Sequence, residues 1–457
     1  MKVTILSKEL IGPSSLTPSH LKTYNLSCLD QCWPPCYFPF ILCYSYSNID
    51  HDHNQSTNVL TPSNMTILLK TSLSNTLTHF YPLAGRLSKD GNTVDCTDEG
   101  VRFLVARVDE SSLSDFVKNN PTTEQVKKLM VAELPSFSAD EPLAIQVNIF
   151  NCGGIVVGVS PLHKIGDACS FSSFVSHWFA TAKGLSTEST NSSPVLTRPF
   201  LDSAVLFPPM DDQSAHTCSQ NQKGPKVHVA ESESHVTKRF IFSSLTINKL
   251  KYQLMSTMKL QEKPPSKVEV VTALIWKFGT QAFNDCKASV ASHVVNFRKK
   301  MVPSLQNYQF GNLIQMATTA IAHQNGLEDM ACLVTKLRVS FGKIDSEYLK
   351  MLTGENRVEI ATRNFTERNK YMTEDQKDGD DPVRIFKFNS WCKLGFTRND
   401  FGWGKPIWVC CTGNPYNNYG VFLIDSVWDD GIEAWVTLSL DNMHKFEHNA
   451  VLQQFFG

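Results

Sequence analysis

Two mixed α/β domains of similar size are the fold class that this sequence predicts. Each half of the chain mixes short strand-like runs with longer segments whose apolar residues recur at helical spacing. A stretch rich in serine, threonine, proline and charge separates the halves, and such a composition is typical of a linker. The 457 residues, 42% of them apolar, suffice for two large cores. The sequence therefore predicts domains over 1–183 and 236–457, joined by a crossover linker over 184–235.

The first half is predicted to open with a strand near its first residues and to contain three helices. The helices are expected over 64–80, 111–119 and 169–181. The third is amphipathic, because five large apolar side chains fall on one face, which should pack inward. These are Phe171, Phe174, Val175, Trp178 and Phe179.

The second half shows the same mixture of elements. A strand is predicted over 239–242, followed by a helix that Ser244 caps and that runs to residue 254. A further helix over 267–283 carries apolar residues at helical spacing, and strands are expected over 407–411, 421–427 and 434–440. A terminal helix is predicted over 441–456. Both halves are thus α/β.

Charge and cysteine content exclude several classes of protein. A formal net charge of −1 gives no general attraction to nucleic acid or to anionic membranes. The chain begins without the basic and apolar pattern of a secretory signal, which favours the cytoplasm. The thirteen cysteines are then predicted to be reduced and mostly buried. The tightest group, Cys28, Cys32 and Cys36, has no histidine at zinc-ligand spacing, so no metal is expected.

His163 and Asp167 stand four positions apart, after a β-branched run and before the aromatic helix. A histidine at a strand end can be held rigidly in a cleft, where a general base belongs. The pair alone is weak evidence, because such spacing also places a solvated pair on one helix face. A serine hydrolase would need a Gly-x-Ser-x-Gly elbow, and residues 158–162 lack its second glycine.

The second motif is Asp400, Phe401, Gly402, Trp403 and Gly404, closed by Pro406. Two glycines around a tryptophan predict a tight turn rather than a helix or a regular strand. Together with His163 and Asp167, the motif resembles the paired signature of the plant BAHD acyltransferases, which transfer an acyl group from coenzyme A to an alcohol or amine. Further blocks at 73–77, 80–87, 295–298 and 308–312 resemble family blocks in the expected order.

The resemblance implies a fold and a co-substrate. The fold is of the chloramphenicol acetyltransferase-like type, with a solvent channel between its two domains. The implied protein is a monomer that uses acyl-CoA and a small-molecule alcohol and holds no tightly bound cofactor or metal. Residues 390–396 resemble the vinorine synthase-like alkaloid acetyltransferases, which favours acetyl-CoA and a hydroxylated alkaloid. Malonyl or aromatic donors, terpenoid, phenolic or amine acceptors, and a catalytically silent binding protein stay open.

His163 is the predicted general base. A thioester is already activated, so the enzyme needs only to deprotonate the acceptor hydroxyl and to stabilise one oxyanion. Asp167 either orients the imidazole or supports the loop, and the resemblance favours the second role with Arg298 as partner. Asn312 and Asn389 are the oxyanion candidates, and each is alternatively a turn asparagine.

The cofactor-binding candidates are Ser266, Lys267 and Trp391. The first two begin a predicted helix, whose N-terminus attracts phosphate. The motif at 400–404 is interpreted as a structural turn on the coenzyme A side rather than as a second active site. Two residues depart from the family pattern: Lys300 replaces a frequent arginine, and Gln309 interrupts the usual Tyr-Phe-Gly-Asn block.

Overall fold

The computed structural model describes residues 1–45, 61–109, 112–132, 134, 140–186, 197–211, 235–258, 263–283, 288–323, 329–363, 383–411 and 420–456. The chain forms two compact units. The first comprises Met1–Ala215, Gln306–Asn312 and Leu394–Thr412, and the second comprises His216–Leu305, Leu313–Lys393 and Gly413–Gly457. Most of the predicted linker, 187–196 and 212–234, lies outside the described residues.

A mixed six-stranded sheet forms the centre of the first unit, in the order β1-β6-β7-β8-β3-β14. Adjacent strands in this sheet are antiparallel, except β6 and β7, which are parallel. The strands are β1 Val3–Ile11, β3 Phe40–Tyr44, β6 Val101–Val108, β7 Leu143–Phe150, β8 Ile155–Pro161 and β14 Trp408–Cys411. A small sheet joins β2 Thr23–Asn25, β5 Thr93–Asp95 and β4 Arg86–Leu87. The predicted opening strand is therefore confirmed.

The first unit takes one strand from far along the chain. β14 pairs antiparallel with β3, with Trp408 opposite Cys43 and Cys411 opposite Phe40. The domain boundaries predicted from the sequence place β14, and with it the motif at 400–404, in the second domain. Local sequence could not reveal the exchange, because strand pairing depends on partners distant along the chain.

Six α-helices are described in the first unit, and the three predicted ones are confirmed with shifted ends. They are α1 Cys28–Gln31, α2 Pro62–His79, α3 Leu113–Lys118, α4 Thr123–Lys127, α5 Ala168–Ser186 and α6 Ser203–Leu206. The apolar face of α5 is buried as predicted. Trp178 of α5 donates through Nε1 to the Leu69 carbonyl at 3.1 Å and to the Ser72 hydroxyl at 3.0 Å. These bonds fix α5 against α2 and satisfy the buried indole.

The second unit is built on its own mixed sheet, in the order β11-β10-β13-β15-β16-β9, with β12 also beside β10. β10 with β13 and β13 with β15 are parallel, and the other pairs are antiparallel. The strands are β9 His235–Phe242, β10 Ala288–Asn296, β11 Ile314–Thr318, β12 Ala322–His323, β13 Val383–Ser390, β15 Gly420–Asp425 and β16 Ile432–Ser439. The predicted strands over 239–242, 407–411, 421–427 and 434–440 are confirmed within a few residues.

The helices of the second unit correct two predictions. They are α7 Ser244–Thr257, α8 Lys267–Gln281, α9 Met330–Gly342, α10 Ser346–Met351 and α11 Leu440–Glu447. Ser243 rather than Ser244 caps α7, because its side chain accepts from the Thr246 amide. The terminal helix ends at Glu447 rather than at 456, since Asn449 Oδ1 accepts from the amides of Val451 and Leu452 and so forms a turn.

Eight of the eleven described cysteines are buried, as predicted. Over the same part of the chain, no helix is both long enough and apolar enough to cross a membrane.

Candidate active site

His163 lies two residues after the end of the buried strand β8, with Leu162 between them. This strand is rich in isoleucine and valine, which favour a pleated, buried conformation, and Gly158 lets another segment approach. A Cβ atom at Gly158 would lie 2.3 Å from the Leu129 carbonyl oxygen. His163 begins a short 3-10 helix, His163–Ile165, and its amide donates to the Cys36 carbonyl at 2.8 Å. The strand end thus holds the backbone of the histidine in place.

Asn312 lies beside the imidazole although it is 149 positions away in sequence. Its Nδ2 donates to Asp30 Oδ1 at 2.9 Å and to the His163 carbonyl at 2.8 Å. Its Oδ1 lies 3.0 Å from His163 Nδ1. An amide oxygen only accepts, so Nδ1 must carry the ring proton and Nε2 must present a lone pair. The geometry supports the tautomer that a general base requires.

Both amide hydrogens of Asn312 are engaged in this arrangement. One donates to Asp30 and the other to the His163 carbonyl, and none is left for a developing oxyanion. This geometry therefore does not favour the predicted oxyanion role of Asn312, which stays a prediction. Its backbone amide is also taken, because it donates to Asp30 Oδ1 at 2.7 Å. Asn312 orients the histidine instead.

Aromatic rings surround the imidazole. Trp33 stacks on it with ring centroids 4.2 Å apart and an interplanar angle of 8°. Phe38 lies 4.7 Å away in a tilted arrangement. Burial lowers the pKa of His163 below its ordinary value, while its own backbone, the nearby charge of Asp167 and the hydrogen bond to Asn312 oppose the shift. The ring is therefore neutral near pH 7, and the side chain remains partly exposed.

Asp167 turns away from the ring. Its Oδ1 accepts from the Ser170 amide at 2.9 Å, as an N-cap of α5 does, and lies 3.0 Å from the Ser170 hydroxyl. That hydroxyl accepts from the Gly311 amide at 3.0 Å and lies 2.8 Å from the Gly311 carbonyl oxygen. Since Nδ1 of His163 bonds with Asn312, the triad-like role of Asp167 has no support. The carboxylate instead joins the loop, α5 and the segment before Asn312.

The motif at 400–404 forms a tight turn. Asp400 Oδ1 accepts from the amides of Gly402 and Gly404, both at 2.8 Å, and these glycines have φ angles of 105° and 108°. Burial acts to raise the pKa of Asp400, but the Lys183 ammonium and the two amides lower it overall. Phe401 is buried against the Trp178 ring at 5.4 Å. The geometry is that of a structural turn in the first unit.

The other predicted site residues belong to the second unit. Asn389 lies on β13, and Trp391 follows it, buried edge-on to Phe422. The oxyanion role of Asn389 stays a prediction. Trp391 is placed as a core residue, which does not favour cofactor binding. Arg298 is buried at the start of a short 3-10 helix and bonds with Asn296 Oδ1. Its pairing with Asp167 stays a prediction.

The predicted phosphate site at the start of α8 is occupied by the protein itself. The Ser266 side chain accepts from the Glu269 amide, and the Glu269 carboxylate accepts from the Ser266 amide, which is a capping box. Lys267 forms an ion pair with Asp430 and donates to its carbonyl. With these donors satisfied internally, the geometry does not favour Ser266 and Lys267 as a phosphate site.

Two neighbours of His163 were not predicted. Asp30 lies in α1 and Trp33 lies just after it, within the stretch that contains Cys28, Cys32 and Cys36. The pattern from Ser27 to Asp30 matches a helix capping box, and the structure forms one. That signal predicts a helix start, but it gives no indication of the contact with Asn312, 282 positions away.

Comparison with known proteins assigns the family. The family model described as Transferase family matches residues 1–453. Stemmadenine O-acetyltransferase of Catharanthus roseus is 37% identical, over 97% of this chain and 95% of that protein. The chain belongs to the BAHD transferase family.

Solved structures show the fold that the family resemblance implied. The crystal structure of vinorine synthase, an enzyme of Rauvolfia serpentina, matches with a TM-score of 0.76 and 32% identity, over 100% of this chain and 98% of that one. The crystal structure of F. sporotrichioides TRI101 complexed with coenzyme A and T-2 matches with a TM-score of 0.67 and 15% identity, over 95% of this chain and 99% of that one. This second likeness shows the fold alone. The predicted two-domain α/β fold class is confirmed.

The two departures from the BAHD pattern have local explanations. The Lys300 ammonium donates to the carbonyls of Phe341 and Ile344, at 2.6 and 3.0 Å, and so binds the C-terminal end of α9. Gln309 is buried and donates to Asp202 Oδ1 at 2.5 Å. Both residues therefore act within the scaffold, and neither replaces a proposed catalytic group.

Proposed function

We propose that this BAHD protein is an acyl-CoA-dependent O-acetyltransferase that acetylates a hydroxyl of a plant alkaloid, with His163 as general base. The observation that carries the proposal is the state of the His163 ring. It is neutral, Nδ1 is held by Asn312 Oδ1, and Nε2 makes no hydrogen bond within the described part of the chain. Such a nitrogen is suited to accept a proton.

The proposed reaction is direct transfer in a ternary complex. Nε2 of His163 takes the proton of the acceptor hydroxyl as its oxygen attacks the thioester carbonyl carbon. The resulting tetrahedral intermediate collapses when the carbon–sulfur bond breaks, and the proton passes from the imidazolium to the departing thiolate. The products are the acetyl ester and free coenzyme A, and His163 returns to its neutral state. The stacked Trp33 ring favours the transient imidazolium through its π face.

The proposed donor and acceptor rest on family members. The acetyl group and the alkaloid acceptor are supported by the likeness to stemmadenine O-acetyltransferase. Acyl-CoA is the co-substrate in this proposal, and no resident cofactor takes part. We further propose that the protein is a cytoplasmic monomer. The continuous domains over 1–183 and 236–457, with a linker over 184–235, are not proposed again, because residues 306–312 and 394–412 belong to the first unit.

A panel of donors and acceptors tests the proposal. Purified protein is given acetyl-CoA, malonyl-CoA or an aromatic acyl-CoA with hydroxylated alkaloids, terpenoids, phenols or amines. Free thiol release and product mass are measured. Acetylated alkaloid is expected, and His163→Ala should lose it while remaining folded by circular dichroism. Products from another donor or acceptor would correct the substrate class. Full turnover by His163→Ala would refute the base assignment, and absence of turnover across the panel would favour a silent binding protein.

A further inference from the structure

Asp30 forms hydrogen bonds both with the N-cap residue of α1 and with Asn312, the residue that bonds with the His163 ring. It is the third residue of α1 and is completely buried. Its Oδ2 accepts from the Ser27 amide at 3.0 Å and from the Ser27 hydroxyl at 2.6 Å. Its Oδ1 accepts from the backbone amide and the side-chain Nδ2 of Asn312, at 2.7 and 2.9 Å. One carboxylate oxygen therefore accepts hydrogen bonds from the cap residue Ser27, and the other accepts them from Asn312.

The bonds to Oδ1 decide which way the Asn312 amide points. Asp30 Oδ1 only accepts, so the side-chain group of Asn312 that faces it must be the NH2. The second hydrogen of this NH2 donates to the His163 carbonyl. Asn312 Oδ1 is then directed to His163 Nδ1 and can accept its proton. The orientation of the amide, and hence the ring tautomer, depends on an acceptor at Asp30.

This dependence holds in either protonation state of Asp30. Burial raises the pKa of Asp30, while hydrogen bonds from Ser27 and Asn312 act to lower it. Both donors to Oδ1 are N–H groups, which cannot accept, whereas the Ser27 hydroxyl at Oδ2 can rotate and accept a hydrogen bond. A proton on the carboxyl would therefore reside on Oδ2, facing this hydroxyl. Oδ1 would still accept from Asn312.

The segment after Asp30 also holds the loop of His163. The Lys164 ammonium is buried and donates to the Gln31 carbonyl at 2.8 Å. The Cys36 carbonyl accepts from the His163 amide, and Tyr37 forms a β-bridge with Leu162. Residues 27–37 thus form a platform under the loop, and Asp30 is the member that reaches the ring nitrogen through Asn312.

We propose that Asp30 is a positioning residue for His163. Through Asn312 it keeps the proton on Nδ1 and leaves Nε2 free to act as base. The catalytic part of this inference rests on the proposed function, whereas the tautomer does not. Asp167, in contrast, caps α5 and makes no hydrogen bond to the ring within the described residues.

The test compares Asp30→Ala with a matched control. Asp115→Ala is the control, because Asp115 is likewise the third residue of a short helix and bonds with its cap serine, Ser112, through the side chain and the amide. Each protein is labelled with ¹⁵N-histidine, and the spectrum of His163→Ala identifies the His163 signals. Ring nitrogen shifts then report which nitrogen carries the proton.

The wild type and Asp115→Ala are expected to show a single tautomer with Nε2 unprotonated. Asp30→Ala should show a mixture, because the Asn312 amide can then rotate. Its kcat should fall by roughly 10- to 1,000-fold, less than the about 10⁴-fold loss known for an imposed wrong tautomer. KM values for acetyl-CoA and acceptor should stay within about 3-fold, since uniform binding is unchanged. Asp115→Ala should keep kcat per folded molecule.

A protonated Nε2 in the wild type would overturn the proposal. So would an unchanged tautomer in Asp30→Ala together with activity lost only in proportion to the unfolded fraction. If Asp30→Ala does not fold, Asp30→Leu is measured in the same way, with a mixed tautomer expected, because leucine is similar in size to aspartate and offers Asn312 no acceptor. If the wild type acetylates nothing, the proposed function fails, and the tautomer spectra still decide the role of Asp30.

Discussion

The first and second units each hold a histidine on or beside a central sheet, and the two rings are alike in several respects. His163 stacks on Trp33 at an interplanar angle of 8°, and His293 stacks on Phe388 at 7°. Nδ1 of His163 faces an amide oxygen, and Nδ1 of His293 faces the Val294 carbonyl at 2.9 Å. Both rings therefore carry the proton on Nδ1.

The two histidines differ in their exposure to solvent. Burial lowers the pKa of both, and for His293 to about 4. The side chain of His293 is buried, and its Nε2 has no hydrogen-bond partner in the described part of the chain. His163 is partly exposed, and its Nε2 is not enclosed in this way. A suitable tautomer and a neutral ring do not by themselves make a base, because a substrate proton must also reach the nitrogen.

The largest expected effect is on turnover. His163→Ala should lower kcat/KM for acetyl transfer by about 100- to 10,000-fold, the usual contribution of a general base. His293→Phe should change it by less than about 3-fold, since a buried ring cannot exchange a proton with substrate. Steady-state kinetics of both variants, with melting curves to confirm folding, measures the contrast. A large loss in His293→Phe alone would reverse the comparison.

The acid limb of the rate profile is the next test. The lowered pKa of His163 keeps Nε2 unprotonated below the ordinary histidine value of about 6.5. We therefore expect kcat/KM to stay level through pH 6.5 and to fall about tenfold per unit only below the lowered pKa. A profile already falling at pH 7.5 would show that burial does not govern this ring.

Acid stability isolates the buried histidine. The unfolded chain takes up a proton on His293 near pH 6.5, whereas the folded protein does so only near pH 4, so stability is lost as pH falls between these values. Between pH 7 and pH 5, this residue should account for about 2 kcal/mol of destabilisation. Urea unfolding measures the free energy of unfolding at both pH values. The decrease from pH 7 to pH 5 should be smaller in His293→Phe than in the wild type by this amount. An equal decrease in the two proteins would mean that folding does not shift the pKa of His293.

The smallest effect concerns the carboxylate beside His163. Asp167→Ala removes an N-cap and should lower the free energy of unfolding by about 1 to 2 kcal/mol, whereas Asp167→Asn keeps an acceptor for the Ser170 amide and should cost less than about 0.5 kcal/mol through that bond. Chemical unfolding measures both variants. Equal destabilisation by alanine and asparagine would assign the effect to the charge of Asp167 rather than to the cap.

Local patterns identified the elements well and the contacts poorly. The apolar face of α5 and the turn at 400–404 could be recognised because their determinants lie within a few residues of one another. The terminal helix was extended too far, since the Asn449 turn interrupts a plausible amphipathic pattern. The phosphate-binding role predicted for Ser266 and Lys267 is not favoured by the geometry, because Glu269 and Asp430 satisfy their donors.

The sequence by itself determined the α/β class, the family and the choice of His163 among thirteen histidines. These follow from composition, periodicity and short motifs, which are properties of neighbouring residues. Only the tertiary structure decided that Asn312 orients the ring, that Asp30 orients Asn312, and that β14 completes the first sheet. Each depends on a hydrogen bond between groups more than a hundred positions apart, whose direction and distance are set when the chain folds.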